Sequence, residues 1–458
     1  MKGEFHTAQE ELFMNMNMQD CRAGYARLDI TPPLGVRIGG YYTVRVTKGV
    51  LDPLYVRALA FGQGDKTAVM LVLDMLGMYG PAAIEWPPKL AEELGLPREA
   101  VFVCCTHSHT TPVVTSYREP HDEQYDAWLY RRLRDAARMA IDDLKPVTDV
   151  RGGETEATHM AFVRRWYMTD GMVETNPRFA TPEQLALIDR PASQTDNSMR
   201  VMRILHQDGP ELAIVNFQVH PDNIGGEYIS ADFPGALCDR VEAQRPDTRC
   251  IFLNGAEGQM VRTDRMGERG YNYEKGWAGA VQYGQELADF ALAAFDTLPS
   301  TGLAGLSVGQ NFVHARTKRG LIPAEEADRL SQLHEQGRGA EIDPNPKMAM
   351  YLAAQAYSVR DMDNQQIDYY DLPVTGLVFC GLAFAGIPGE PFNEVGKAIR
   401  AASPFPVTSV CCQANGNYGY YPTAEGFDQG GYESFNTRLR RGVAEELVDA
   451  ANRLLETL

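Results

Sequence analysis

Apolar residues in this chain fall into short continuous runs, separated by stretches in which they recur every three or four positions. Runs at 68–73, 101–105, 212–219, 250–253, 377–384 and 407–412 are bounded by polar or glycine-rich segments and predict buried strands. Between them, 82–94, 123–144, 234–244, 278–298, 324–336, 392–402 and 438–455 predict helices. The last carries Leu439, Val443, Leu447, Leu454 and Leu455 on one face, the spacing of a helix packed on a core. Strands alternating with helices, without a fixed-period repeat or a Ser/Gly-rich linker, predict an α/β fold: a layered mixed β-sheet with flanking helices. The domain reading is one unit over residues 22–458 behind an N-terminal extension, 1–21. Residues 151–200, rich in Gly, Thr, Asn and Pro, predict a long excursion across the sheet surface.

The polar residues that interrupt the pattern come at the ends of these runs. Open α/β sheets place their chemistry just beyond the carboxyl ends of strands. His107 and His109 stand in THSHTTP immediately after VFVCC, and His220 ends ELAIVNFQVH. Glu390 follows the run of GLVFCGLAFAGIPGE, and Tyr418, Tyr420 and Tyr421 follow PVTSVCC. Imidazoles, a carboxylate and a further oxygen donor are the ligand types zinc takes in tetrahedral sites. Position alone does not choose among the three tyrosines.

Taken together, THSHTTP, VNFQVHP, the IPGE turn and the pattern from Asn415 to Glu433 resemble the catalytic domain of the neutral/alkaline non-lysosomal ceramidase family. ARLDITPPLG, LDPLYVRAL, VLDMLGM, FVRRWYMTDGMVETNP and ISADFPG support it in the same order, over roughly 22–456. The resemblance implies the ceramidase catalytic fold and one Zn2+ per chain held by His107, His220, Glu390 and Tyr420. It also implies His109 and Tyr432 as catalytic groups acting on the substrate, and Arg164 as a substrate-facing arginine. Water activated by the metal is then the nucleophile, since zinc lowers the pKa of bound water to about 7. Asp74 and Asp232, at strand and loop ends, either orient ligands from behind or cap loops.

Three departures shape the expected substrate. Val163 stands where the family has an asparagine beside the arginine, and GQMV replaces its glycine-aspartate-x-serine motif, with Gln259 for the aspartate and Val261 for the serine. A valine neither attacks nor donates, so a covalent serine mechanism at that position is excluded. The expectation is also that the family's immunoglobulin-like C-terminal domain is missing. The expectation is therefore a zinc-dependent hydrolase cleaving a C–N (amide) bond of a small polar substrate rather than long-chain ceramide. Metal-dependent glycoside cleavage on the same scaffold and true neutral ceramidase activity are the alternatives.

Composition narrows the partners. A formal net charge of −18 excludes a nucleic-acid partner, whose phosphates require a basic face, and disfavours anionic membranes. The first twenty residues contain no apolar stretch of signal-peptide length, and no run approaches the roughly 20 residues that span a bilayer. A cytoplasmic enzyme with a small-molecule substrate, no stable membrane association and possible homo-oligomerisation is the reading. The eight cysteines lie mostly inside apolar runs and show no CxxC spacing, so neither a zinc knuckle nor cysteine catalysis is expected.

Overall fold

The computed structural model describes residues 20–41, 43–115, 121–177, 181–302 and 305–458; nearly all of the extension at 1–21 lies outside them. Twelve strands form its two larger sheets: β1 (Cys21–Asp29), β2 (Tyr55–Gln63), β3 (Lys66–Leu73), β4 (Val101–Cys105), β5 (Lys145–Glu156), β6 (Ser198–His206), β7 (Glu211–Phe217), β8 (Thr248–Asn254), β9 (Leu306–Arg316), β10 (Tyr369–Phe379), β11 (Leu382–Gly386) and β12 (Val407–Cys411). The first eight make one sheet, ordered β8-β7-β6-β5-β1-β2-β3-β4, and the last four make a second, β9-β10-β11-β12. Neighbours are antiparallel except at three places: β3 with β4, β7 with β8, and β11 with β12. The mixed α/β architecture expected from the hydrophobic pattern is the one observed.

Alternation explains why both faces of the large sheet are buried. Leu59, Phe61, Met70, Phe102, Ile214 and Leu253 point to one face and pack on Leu377, Phe384 and Cys411 of the small sheet. Opposite them, Ala58, Leu71, Val103 and Cys105 lie under α1 (Gly80–Leu94) and α2 (Glu123–Asp142). Val201, Val215 and Phe252 lie under α3 (Asp232–Gln244) and α4 (Trp277–Phe295). The far face of the small sheet is covered by α7 (Asn393–Ala402) and α8 (Val443–Thr457). The result is helices, sheet, sheet, helices. Two further helices, α5 (Ala324–Glu335) and α6 (Pro346–Gln365), pack on one another.

The excursion expected at 151–200 is corrected. Its ends belong to β5 and β6, paired from Ser198 with Glu156 onward, and the interior folds into short strands Arg165–Met168, Val173–Thr175 and Ile188–Pro191. Arginines at 151, 200 and 203 break the apolar pattern there, yet Arg200 and Arg203 are buried by pairing with Glu154 and Glu211. Among the described residues, no helix is long and apolar enough to cross a membrane.

Polar side chains stitch the two sheets together where strands end. Asn216 Nδ2 donates to Leu253 O and Val410 O, Asn254 Nδ2 to Thr106 O, and the Asn415 side chain accepts from Val103 N. Each satisfies carbonyls or amides that leave the ladder at the sheet edge, so the loops beyond are held to one another.

Candidate metal centre

The loops after β4, β7, β8, β11 and β12 meet beyond these strand ends. His107 takes a left-handed conformation, φ 74°, that a non-glycine residue adopts rarely and mostly where function requires it. Its backbone N–H donates to Met75 O, and its Nδ1 donates to Leu76 O at 2.6 Å. A carbonyl only accepts, so Nδ1 carries the proton and Nε2 turns to the interior. His220 is built the same way, its Nδ1 donating to Glu257 O at 2.9 Å. Glu390 enters from a two-residue strand, Glu390–Pro391, paired in parallel with Tyr420–Tyr421, which sets Glu390 beside Tyr420. Gly258 packs so close that a Cβ there would fall 2.5 Å from Glu390 O.

Three acceptors then converge. Glu390 Oε2 is 3.2 Å from His220 Nε2 and 3.5 Å from His107 Nε2. Although close, neither His220 Nε2 nor Glu390 Oε2 is in a hydrogen bond, and both are buried. Bare nitrogen and oxygen lone pairs aimed at one point repel unless a cation lies between them. His107, His220, Glu257 and Glu390 offer ligand atoms within 4.8 Å of one another, as do His107, His109 and His220. Two buried carboxylates among neutral imidazoles also need two positive charges, which a divalent ion supplies. The residues present therefore fit a divalent metal.

Without an ion, the same carboxylates draw protons to the histidines. Burial pulls His107 and His220 toward neutrality, but Glu257 and Glu390 outweigh it and raise both, His220 to about 10. Burial works against ionised Glu390 as well, and the two histidines nonetheless hold it well below the usual carboxylate range. Burial raises the Tyr420 phenol, and Glu390 raises it further, against the pull of Arg164.

His109 stands beside this group, its Nε2 3.3 Å from His107 Nε2 and its ring perpendicular to that of His107. Burial lowers its pKa to about 4, so its imidazole is neutral. Tyr41 and Asp222 flank it: the Tyr41 hydroxyl donates to Asp222 Oδ1, which lies 3.8 Å from His109 Nδ1. Arg45 stacks on Tyr41 and donates to His109 O.

Tyr432 is half-buried, 5.9 Å from Tyr420 between ring centroids. It begins a one-turn helix, Tyr432–Asn436, whose Glu433 is fully buried. Arg164 Nε donates to Glu433 Oε1 at 2.7 Å, Thr175 Oγ1 donates to its other oxygen, and Arg165 lies 3.4 Å away. Arg164 also donates to Gly258 O and lies over the Tyr420 ring at 5.5 Å. Arg164 is thus a buried strut between the tyrosines and the Glu390 strand.

All seven residues expected from the sequence lie in this region. Two groups were not given their roles there. For Glu257 the strand-end logic, applied to the run 250–253 that NGAEG follows, carries the signal. Glu433 sits in the YE motif, but nothing local announces a buried carboxylate between two arginines. Asp74 pairs with Arg57 at 2.7 Å and ties β2 to β3, so it does not orient a ligand. Asp232, the first residue of α3, accepts from Asn223 and from the Phe233 N–H. Gln259 donates to Asn393 and Glu394 on α7.

A helix–sheet–sheet–helix fold with a buried histidine–glutamate cluster at the strand ends is the class of protein these features define. No protein-family model matches the chain, and no curated protein matches it by sequence. In structure it is similar to neutral ceramidase from Pseudomonas aeruginosa, with TM-score 0.71 and 18% identity over 96% of this chain and 75% of that one. It is likewise similar to a ceramidase complexed with C2, with TM-score 0.70 and 17% identity over 96% and 76%. The fold is that of the neutral ceramidases, and the resemblance drawn from the motifs holds at the level of fold.

Proposed function

We propose that the chain is a zinc-dependent hydrolase acting on the C–N (amide) bond of a small polar substrate. The observation that carries this is the buried convergence of His107 Nε2 and His220 Nε2 on Glu390 Oε2, at 3.5 and 3.2 Å. His107, His220, Glu390 and Tyr420 would hold the ion. When bound there, zinc supplies Lewis acidity toward a carbonyl and activates water at neutral pH. The neutral His109 imidazole takes a proton from the attacking water and returns it to the departing nitrogen. The Tyr432 hydroxyl donates to the carbonyl oxygen as negative charge develops on it. Tyr41 and Asp222 hold His109 in place, and Arg164 with Glu433 hold Tyr420 and Tyr432. The polar residues around the cluster, among them the partly exposed Asp222, favour a small hydrophilic substrate.

The test is metal content with a substrate screen. The purified chain carries about one zinc, and the double variant His107→Ala/His220→Ala carries none. Full zinc retention in that variant would overturn the reading. Release of a primary amine from N-acyl compounds supports amide cleavage, whereas release of a reducing sugar alone assigns the scaffold to glycosides.

A further inference from the structure

His107 and His220 are both fixed at Nδ1, but by unlike partners. Behind His107 stands a neutral carbonyl, Leu76 O. Behind His220 stand the Glu257 carbonyl at 2.9 Å and, 2.8 Å from the same nitrogen, the carboxylate oxygen Oε2 of Glu257. Glu257 is fully buried, and its ion-pair contact is with His220; its other oxygen accepts from Gln413 Nε2 at 3.4 Å. Oε2 itself is in no hydrogen bond. A buried carboxylate without a cation is expensive, so this one has a reason to be there.

Its placement gives the reason. Nδ1 and Nε2 are on opposite edges of the imidazole, and Nε2 of His220 is the atom that faces Glu390. Glu257 therefore stands behind the ring. A carboxylate behind a ligating histidine fixes the tautomer, stiffens the ring and makes the outward nitrogen a stronger donor. The charge count points the same way: with neutral imidazoles, Glu257 and Glu390 together balance a divalent ion, and removal of either carboxylate charge leaves one positive charge buried.

We infer that Glu257 is a positioning residue for the metal, acting through His220 and not as a ligand, so that His220 is the tighter-binding of the two histidines. This rests on the metal reading above. His107, backed by a neutral carbonyl, is the weaker donor.

The experiment measures Zn2+ and Co2+ affinity of the metal-stripped full chain by competition with a chromophoric chelator, for wild type, Glu257→Gln and Glu257→Asp. Glu257→Gln keeps size and loses charge; it is expected to bind both ions about 10 to 100-fold more weakly. Its Co2+ complex should show a shifted visible absorption band, while the melting temperature of the metal-free protein does not fall. Glu257→Asp, charged but shorter, is expected between the two. Wild-type affinity and an unshifted Co2+ spectrum in Glu257→Gln overturn the inference while leaving the metal reading intact. Absence of metal binding in wild type overturns the metal reading and this inference with it. Should Glu257→Gln not fold, Glu257→Asp decides: affinity equal to wild type overturns the proposal.

Discussion

His109 and Tyr432 border the histidine–glutamate cluster without contributing to its charge balance, and this separates their expected roles from those of the ligands. His109→Ala and Tyr432→Phe are expected to keep the metal and to lose turnover. Removal of one donor to a developing oxyanion typically costs about 10² to 10³ in rate. Metal analysis alongside steady-state rates on the substrate that the screen identifies makes the check, and wild-type rates in both variants would show them to be structural. At this scale the sequence was informative because ligating chemistry is carried by few residue types, and HxH after an apolar run is rare. Arg164 illustrates the limit. Its type and position were legible, but its commitment to Glu433 and Gly258 depends on a contact 269 residues away in sequence.

At the scale of elements, the pattern found buried strands and missed mixed ones. β4 is a continuous apolar run, and β7 and β12 are buried nearly throughout, since helices or a second sheet cover both faces. β5, with Arg151, Gly152, Gly153 and Glu154 in its middle, gives no such signal, and pairing with β6 makes it a strand. α8 begins at Val443 rather than 438, because residues before it are drawn into other contacts: Leu439 bridges to Thr317, and Arg438 O accepts from Lys318 N. Lys318 has a consequence of its own. Its buried ammonium donates to Ser434 O and Phe435 O, at the end of the turn that begins with Tyr432. Burial, aided by Arg440, pulls its pKa to about 7 from 10.5. Between these values the unfolded chain holds a proton that the folded chain releases, so this group's contribution to stability rises with pH across that window and is lost as pH falls to 7. Relative to Lys318→Met, wild type should therefore gain up to about 1.4 kcal/mol per pH unit from roughly pH 7.5 to 9.5. Urea denaturation of both proteins across that range is the measurement, and parallel stability curves would refute it.

For the whole molecule, the fold places a polar, acidic chain on a scaffold shared with ceramidases, and this makes substrate choice the sharpest question. The chain carries a formal charge of −18, and its cluster is flanked by Tyr41, Asp222, Arg164 and Tyr432. A long acyl chain needs a continuous apolar trench, because each buried methylene contributes about 0.8 kcal/mol of binding. A substrate recognised mainly by polar groups gains nothing from such length. Specificity constants of the zinc-loaded enzyme should therefore be higher for small N-acyl compounds than for ceramide, and flat or falling as the acyl chain grows. The comparison uses detergent-dispersed ceramides of short and long chain beside soluble amides, all at one detergent concentration. A steady rise with acyl length, at about a fourfold gain per methylene as 0.8 kcal/mol implies, would mean that the chain keeps the lipid chemistry of its structural neighbours.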